Sequence, residues 1–343
     1  MPGLAVEAGG RAAWMVAVLA GVTAWLAGLV VAGLSRRFAP VSVFRYAGVL
    51  VGPWLGKALG GAIVLTALVN APVDLRVAVQ ALFGVFYQQT PPWVVVIISA
   101  VGALALVWWG PVRLARLQPL LLGIVGAVTM LQVPFLWQRS EWRLLLPVRF
   151  EDVAVGSRAF LAALGTFRLP LMLAWVVALL EEPHRALELY TKGFWLGWLL
   201  VFPMVAFPVA IFGPEGAREL NNPFPYVLSI IRLPNFPVEK VDYLARLTYS
   251  LTALVVVALF YHMVAAGVGE LTRTRRDRPV LALAAAASVL LTVWMLPDEP
   301  GERLSRAVLV ATLALETGFV VLWALGRLRR PSPATLRRST DGG

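Results

Sequence analysis

Apolar residues along this chain do not alternate with polar ones. They run almost unbroken for roughly twenty positions at a time, the length a helix needs to cross a hydrocarbon core. Such runs occupy 12–34, 53–86, 91–109, 119–137, 153–180, 191–212, 241–268, 280–296 and 307–325. Shorter or more polar stretches separate them. Residues 41–50 read as an amphipathic or re-entrant lead-in, and 112–116 as a basic turn. A polar connector spans 138–149. A longer one spans 213–240 and holds a short amphipathic piece near 224–231. The expected fold class is all-α integral membrane, with about nine transmembrane helices. A membrane domain would cover 1–326, and a basic, flexible cytoplasmic tail 327–343.

Composition agrees with the pattern. The chain is 59% hydrophobic and 14% charged, whereas soluble domains carry about 25% charged residues. The formal charge of +11 would suit nucleic acid in a soluble protein. In a membrane protein it reads as basic loops that hold the cytoplasmic side and meet anionic lipid, so no nucleic-acid partner is expected. Basic loops alternate with loops that are nearly uncharged (88–90) or mixed in sign (298–306), which places the N-terminus outside and the C-terminus in the cytoplasm. Residues 1–11 lack a basic stretch followed by an apolar core, so no cleavable signal is expected there.

Several chemistries find no support. There is no cysteine, which excludes disulfides, thiolate metal sites and cysteine nucleophiles. The two histidines, His184 and His262, are far apart in sequence, so neither a metal centre nor a cofactor is expected. No phosphate-binding loop, zinc-hydrolase or serine-hydrolase motif occurs. The expectation is a non-enzyme.

Candidate binding residues are those that interrupt the apolar runs. The sharpest interruption is Gly165-Thr166-Phe167-Arg168-Leu169-Pro170, in the middle of the span 153–180. Glycine and proline free backbone groups that lipid cannot satisfy, and transporters use such breaks to hold substrates. A plain proline kink is the simpler reading. A charge at the depth of Arg168 costs about 2.5–3.5 kcal/mol on insertion scales, so it should face a cavity or a carboxylate. Alternatively the span boundary lies elsewhere and Arg168 snorkels to an interface. Asn70, Asp74 and Arg76 form a second polar cluster, for which structural pairing and a transport role stand level. Asp74 and Glu316 are the candidates for ion or proton coupling. A satisfied interior hydrogen bond is the expected state of His262. Gly52, Gly56, Gly60 and Gly61 have the spacing of a close-packing device, and most tryptophans near span ends suit the aromatic belts.

The order of local motifs resembles the spore-germination permease family, the integral-membrane B subunits of nutrient germinant receptors within the amino acid–polyamine–organocation transporter superfamily. Glu7-Ala8-Gly9-Gly10-Arg11-Ala12-Ala13-Trp14 is similar to that family's "EAGQDAW", and Gly52-Pro53-Trp54-Leu55-Gly56-Lys57 to its "GKWLGK". Thr90-Pro91-Pro92-Trp93 resembles the turn before its fourth helix, and Ile211-Phe212-Gly213-Pro214-Glu215 the segment after its seventh. Asn222-Pro223-Phe224, then Asn235-Phe236 and Val238-Glu239-Lys240-Val241-Asp242, resemble its "YPF…FLERID" connector. The resemblance implies a five-plus-five inverted repeat, here lacking most of the first helix. It implies a subunit of the bacterial spore inner membrane that recognises a small nutrient, such as an amino acid. Its partners would be a large membrane-anchored subunit and a lipoprotein subunit. The ligand would lie at Gly165, Thr166, Phe167, Arg168 and Pro170. Two other readings stay open, an ion-coupled amino-acid transporter and a degenerate, non-binding membrane scaffold. The family's "FPxGE"-like segment has no glutamate counterpart in Phe167-Arg168-Leu169-Pro170-Leu171.

Overall fold

The computed structural model describes residues 6, 10–86, 89–108, 110–146, 160, 163–164, 169–220, 223–231, 241–274, 277–296 and 298–329. Among these the regular structure is helical and contains no strand. Helix α1 is Ala13–Phe38, α2 Val43–Val51, α3 Pro53–Phe86, α4 Pro92–Trp108 and α5 Pro111–Arg139. Then come α6 Leu169–Val176, α7 Ala186–Glu219, α8 Pro223–Ser229, α9 Val241–Thr272, α10 Asp277–Trp294 and α11 Asp298–Arg329. Seven helical segments are long and apolar enough to cross a bilayer, and α4 adds a shorter apolar one. The chain is therefore an all-α, multi-pass membrane protein. Every expected span falls on one of these helices except that at 153–180, much of which lies outside the described residues.

Local sequence explains most helix boundaries. The chain holds three Gly-Pro dipeptides, and in each the glycine has a positive φ: Gly52 at 94°, Gly110 at 91° and Gly213 at 74°. Glycine takes that conformation without a Cβ penalty, and the following proline has its φ preset for a first helical position. This corrects one expectation. Residues 112–116 do not form a turn, because the reversal is complete at Gly110 and Pro111 already opens α5. The mixed-charge stretch 298–306 is likewise helical, as the first turns of α11. The lead-in at 41–50 is realised as the amphipathic α2, which buries Val43, Phe44, Tyr46, Ala47 and Leu50.

The chain divides into two compact units. The first comprises Met1–Leu26, Pro119–Arg168 and Thr191–Tyr249. Its apolar core includes Val6, Ala13, Ala17, Val205, Val209 and Ala217. A second cluster of Leu136, Phe207, Val227 and Ile231 seats α8 against α5 and α7, so the amphipathic piece expected near 224–231 is present. An aromatic ladder runs from Trp25 to Trp195 (5.8 Å), on to Trp198 (5.6 Å) and then to Phe202 (5.0 Å). Trp198 reaches the α1 backbone because residue 21 is glycine, where a Cβ would meet the indole.

The second unit comprises Ala27–Gln118, Leu169–Tyr190 and Ser250–Gly343. Here α2 is held closely against its neighbours. A Cβ at Gly56 would meet the Gly48 backbone, and one at Gly267 would meet Phe44 and Val64. Of the four glycines with packing spacing, Gly56 and Gly60 make such approaches, whereas Gly52 and Gly61 have open space beside them. Ser42 Oγ donates to Glu270 Oε2 at 2.6 Å, and Arg45 Nε lies 3.1 Å from the same oxygen. Tyr46 stacks on Phe38 (4.9 Å), and its hydroxyl shares a 3.1 Å hydrogen bond with Ser35 Oγ. Burial pushes the Tyr46 phenol far above its usual range and outweighs the Ser35 bond, which acts the other way, so the ring stays neutral.

Candidate functional site

Of the expected ligand segment, Gly165, Thr166, Phe167 and Arg168 lie outside the described residues. Pro170 falls in the first turn of α6. The expected coupling residues, in contrast, lie in the second unit along a polar seam between α3 and α11. Asn70 is fully buried, and its Nδ2 donates to Thr66 O (2.8 Å) and to Thr312 Oγ1 (3.2 Å). Thr312 in turn donates to Val308 O at 2.8 Å. This is a direct interhelical bond in an apolar setting, a type that contributes about 0.6 kcal/mol on average. Thr292 on α10 donates to Pro72 O at 3.2 Å, tying a third helix to the same stretch of α3.

The two acids flank this bond from opposite sides. Arg76 of α3 packs against Gly301 of α11, so numbering rises along one helix as it falls along the other. Asp74 is one turn from Asn70 towards Arg76, while Glu316 is one turn from Thr312 in the other direction. At 1.5 Å of rise per residue they stand about 12 Å apart along the seam. They do not form a carboxylate pair that could share a proton. Glu316 has Tyr190 as an electrostatic neighbour. The Tyr190 hydroxyl fills the space where a Cβ at Gly28 would sit. Tyr190 and Gly28 were not singled out in sequence. A glycine at a helix contact, facing an aromatic ring on another helix far along the chain, leaves no periodic signal.

His262 departs from expectation. Its ring lies against Trp175, with 5.2 Å between centroids, and its Nδ1 has no hydrogen-bond partner among the described residues. Tyr261 and Ser288 are buried neighbours inside the bundle. Among the described residues no three of His, Cys, Asp or Glu converge in a manner that could hold a metal ion.

In the first unit, motifs distant in sequence meet in one cap. Gly10, in a turn at Gly10–Ala12, has a φ of 50°, and a Cβ there would meet the guanidinium of Arg218. Trp14 Nε1 donates to Leu145 O at 3.4 Å. Pro214 has no N–H, so the carbonyl four residues earlier, on Ala210, loses its helical partner. Glu141 N–H takes that carbonyl at 2.8 Å and docks the turn Trp142–Leu145. Gly213, at φ 74° and ψ 170°, sits where only glycine is at ease. Gly213→Val is expected to lower stability by about 1–3 kcal/mol, read as a reduced melting temperature of the purified protein.

A helical, multi-pass bundle with a polar seam in its interior and broken helices in its spans has the character of a permease. The sequence profile of the spore germination protein family matches residues 1–302, and the chain belongs to that family. It is also similar to "Spore germination protein YndE" of Bacillus subtilis (strain 168), at 18% identity over 304 residues. That alignment covers 88% of this chain and 82% of the relative. Both findings support a role in spore germination.

Proposed function

We propose that this chain is the membrane subunit of a spore nutrient-germinant receptor and that it recognises a small nutrient, such as an amino acid. The observation that carries the reading is the family match over residues 1–302. The meeting of the Gly10–Trp14 and Gly213–Glu215 motif regions with one connector in the first unit is consistent with it. In this reading the Gly165–Pro170 break cradles the ligand. Arg168 pairs with its carboxylate through the planar, two-pronged geometry of a guanidinium, and Thr166 supplies a hydroxyl contact. The chain sits in the spore inner membrane with its N-terminus outside. It acts with a large membrane-anchored subunit and a lipoprotein subunit.

Binding of a panel of amino acids to the purified protein in lipid nanodiscs tests this. At least one amino acid is expected to bind, and Arg168→Ala to weaken it by tenfold or more, about 1.4 kcal/mol. Unchanged affinity would remove Arg168 from the site. The seam around Asn70 and Glu316 favours a second reading, ion-coupled transport of the same ligand. Flux into proteoliposomes that is lost in Glu316→Gln or Asp74→Asn would select it.

A further inference from the structure

The second unit carries a basic face that its own acids do not neutralise. Contacts establish that four separate segments share one end of this unit. Glu270 near the end of α9 holds Ser42 and Arg45 beside α2. Leu271 packs where a Cβ at Gly60 of α3 would sit. Arg278 at the start of α10 lies over the Trp108 ring at the end of α4, 5.3 Å from its centroid, and α5 opens three residues beyond, at Pro111. Exposed on this end are Arg36, Arg37, Arg113, Arg116, Arg273 and Arg278. None of them has a carboxylate partner among the described residues. The same helix ends carry two acids, Glu270, already engaged by Arg45, and Asp277 in the first turn of α10, against these six arginines.

Two further observations say what covers this face. Large apolar side chains stand among the cations: Trp54 is 86% exposed, Leu55 66% and Trp108 42%. Aromatic rings interleaved with arginines at helix ends suit the boundary between headgroups and acyl chains better than a water-filled protein interface. The second observation is backbone strain. α9 ends with Thr274 N–H bonded to Gly269 O at 3.1 Å, the closing bond of a helix C-terminal motif whose left-handed residue is usually glycine. Here that residue is Arg273, at φ 58°. A side chain is kept on this face against the preference of the backbone, and strain of this kind collects at functional positions.

We propose that this end of the second unit is a docking surface for anionic phospholipid headgroups. The Arg278–Trp108 pair is its clamp, and Arg273 is a second phosphate contact. The Trp108 ring holds one side of the Arg278 guanidinium and leaves its N–H edge for a phosphate.

Native mass spectrometry of the full chain, with phosphatidylglycerol and phosphatidylcholine offered in equal amounts, tests the proposal. Phosphatidylglycerol is expected to be retained preferentially. Arg278→Gln is expected to reduce its retention by about fivefold, the effect of one basic residue at a membrane surface. Arg273→Gly separates binding from folding. It relieves the strained residue, so the melting temperature should hold or rise while phosphatidylglycerol retention falls. Arg143→Gln, an exposed arginine of the first unit, should change nothing. Equal retention of the two lipids would overturn the proposal, as would phosphatidylglycerol retention unaltered in both Arg278→Gln and Arg273→Gly. Tight binding of polyglutamate without any preference among lipids would also overturn it and assign the face to an acidic protein.

Discussion

Gly301→Leu is expected to remove most of the folded protein from a membrane preparation. A Cβ at this position would meet the guanidinium of Arg76 and the backbone oxygen of Met295. The backbone atom cannot swing away, and Arg76 is only 9% exposed. Leucine must therefore both overpack the α3–α11 contact and push a buried cation out of its setting. Overpacking alone costs about 1–3 kcal/mol, and disturbing a buried charge adds about 3–5 kcal/mol where its compensation is lost. Domains are stable by only about 5–15 kcal/mol. The measurement is the monodisperse fraction after solubilisation, together with the melting temperature of what remains. Gly301→Ala should be milder but still destabilising. A melting temperature for Gly301→Leu equal to that of the parent would show that Arg76 does not pack against this turn.

Gly28→Leu is expected to have the next largest effect, because it strikes the coupling candidate indirectly. Tyr190 is buried, its hydroxyl lies on the bare backbone at Gly28, and Glu316 is its electrostatic neighbour. A leucine at 28 displaces the ring and destabilises the protein by about 1–3 kcal/mol. Since the two residues occupy one space, their substitutions should not add. Tyr190→Ala makes room, so the double variant Gly28→Leu/Tyr190→Ala should be more stable than the sum of the single losses implies. Additive melting-temperature losses would place Tyr190 elsewhere.

Much of the membrane topography was legible in the sequence, because crossing a bilayer demands length and apolarity and little else. α3 begins and ends where its apolar run does, at Pro53 and Phe86. Misreadings arose where polar residues continue a helix beyond the hydrocarbon, as in 112–116 and 298–306. Charge there marks the water boundary and not the end of the helix. The break in α7 was visible only as a motif. Its physical content, a carbonyl freed by Pro214 and taken by Glu141, depends on a segment some seventy residues earlier. Of the candidate site, Asn70, Asp74 and Glu316 stand out in the sequence as polar residues inside apolar runs, and they lie in α3 and α11. Their arrangement, two acids on opposite sides of the Asn70–Thr312 bond, needed the antiparallel pairing of α3 and α11. Gly28 and Gly301 gave no signal, since what matters at each is the side chain that another helix brings to it.

The most direct test of the role in nutrient sensing is germination itself. Spores of the parent strain, of a deletion strain, and of deletion strains complemented with the natural or the Arg168→Ala gene would be exposed to a panel of amino acids. Loss of optical density reports germination. The expected result is that deletion abolishes the response to at least one amino acid and the natural gene restores it. Arg168→Ala, present at equal level, should restore it only at much higher concentration. Deletion spores that answer every amino acid as the parent does would contradict a role in nutrient sensing.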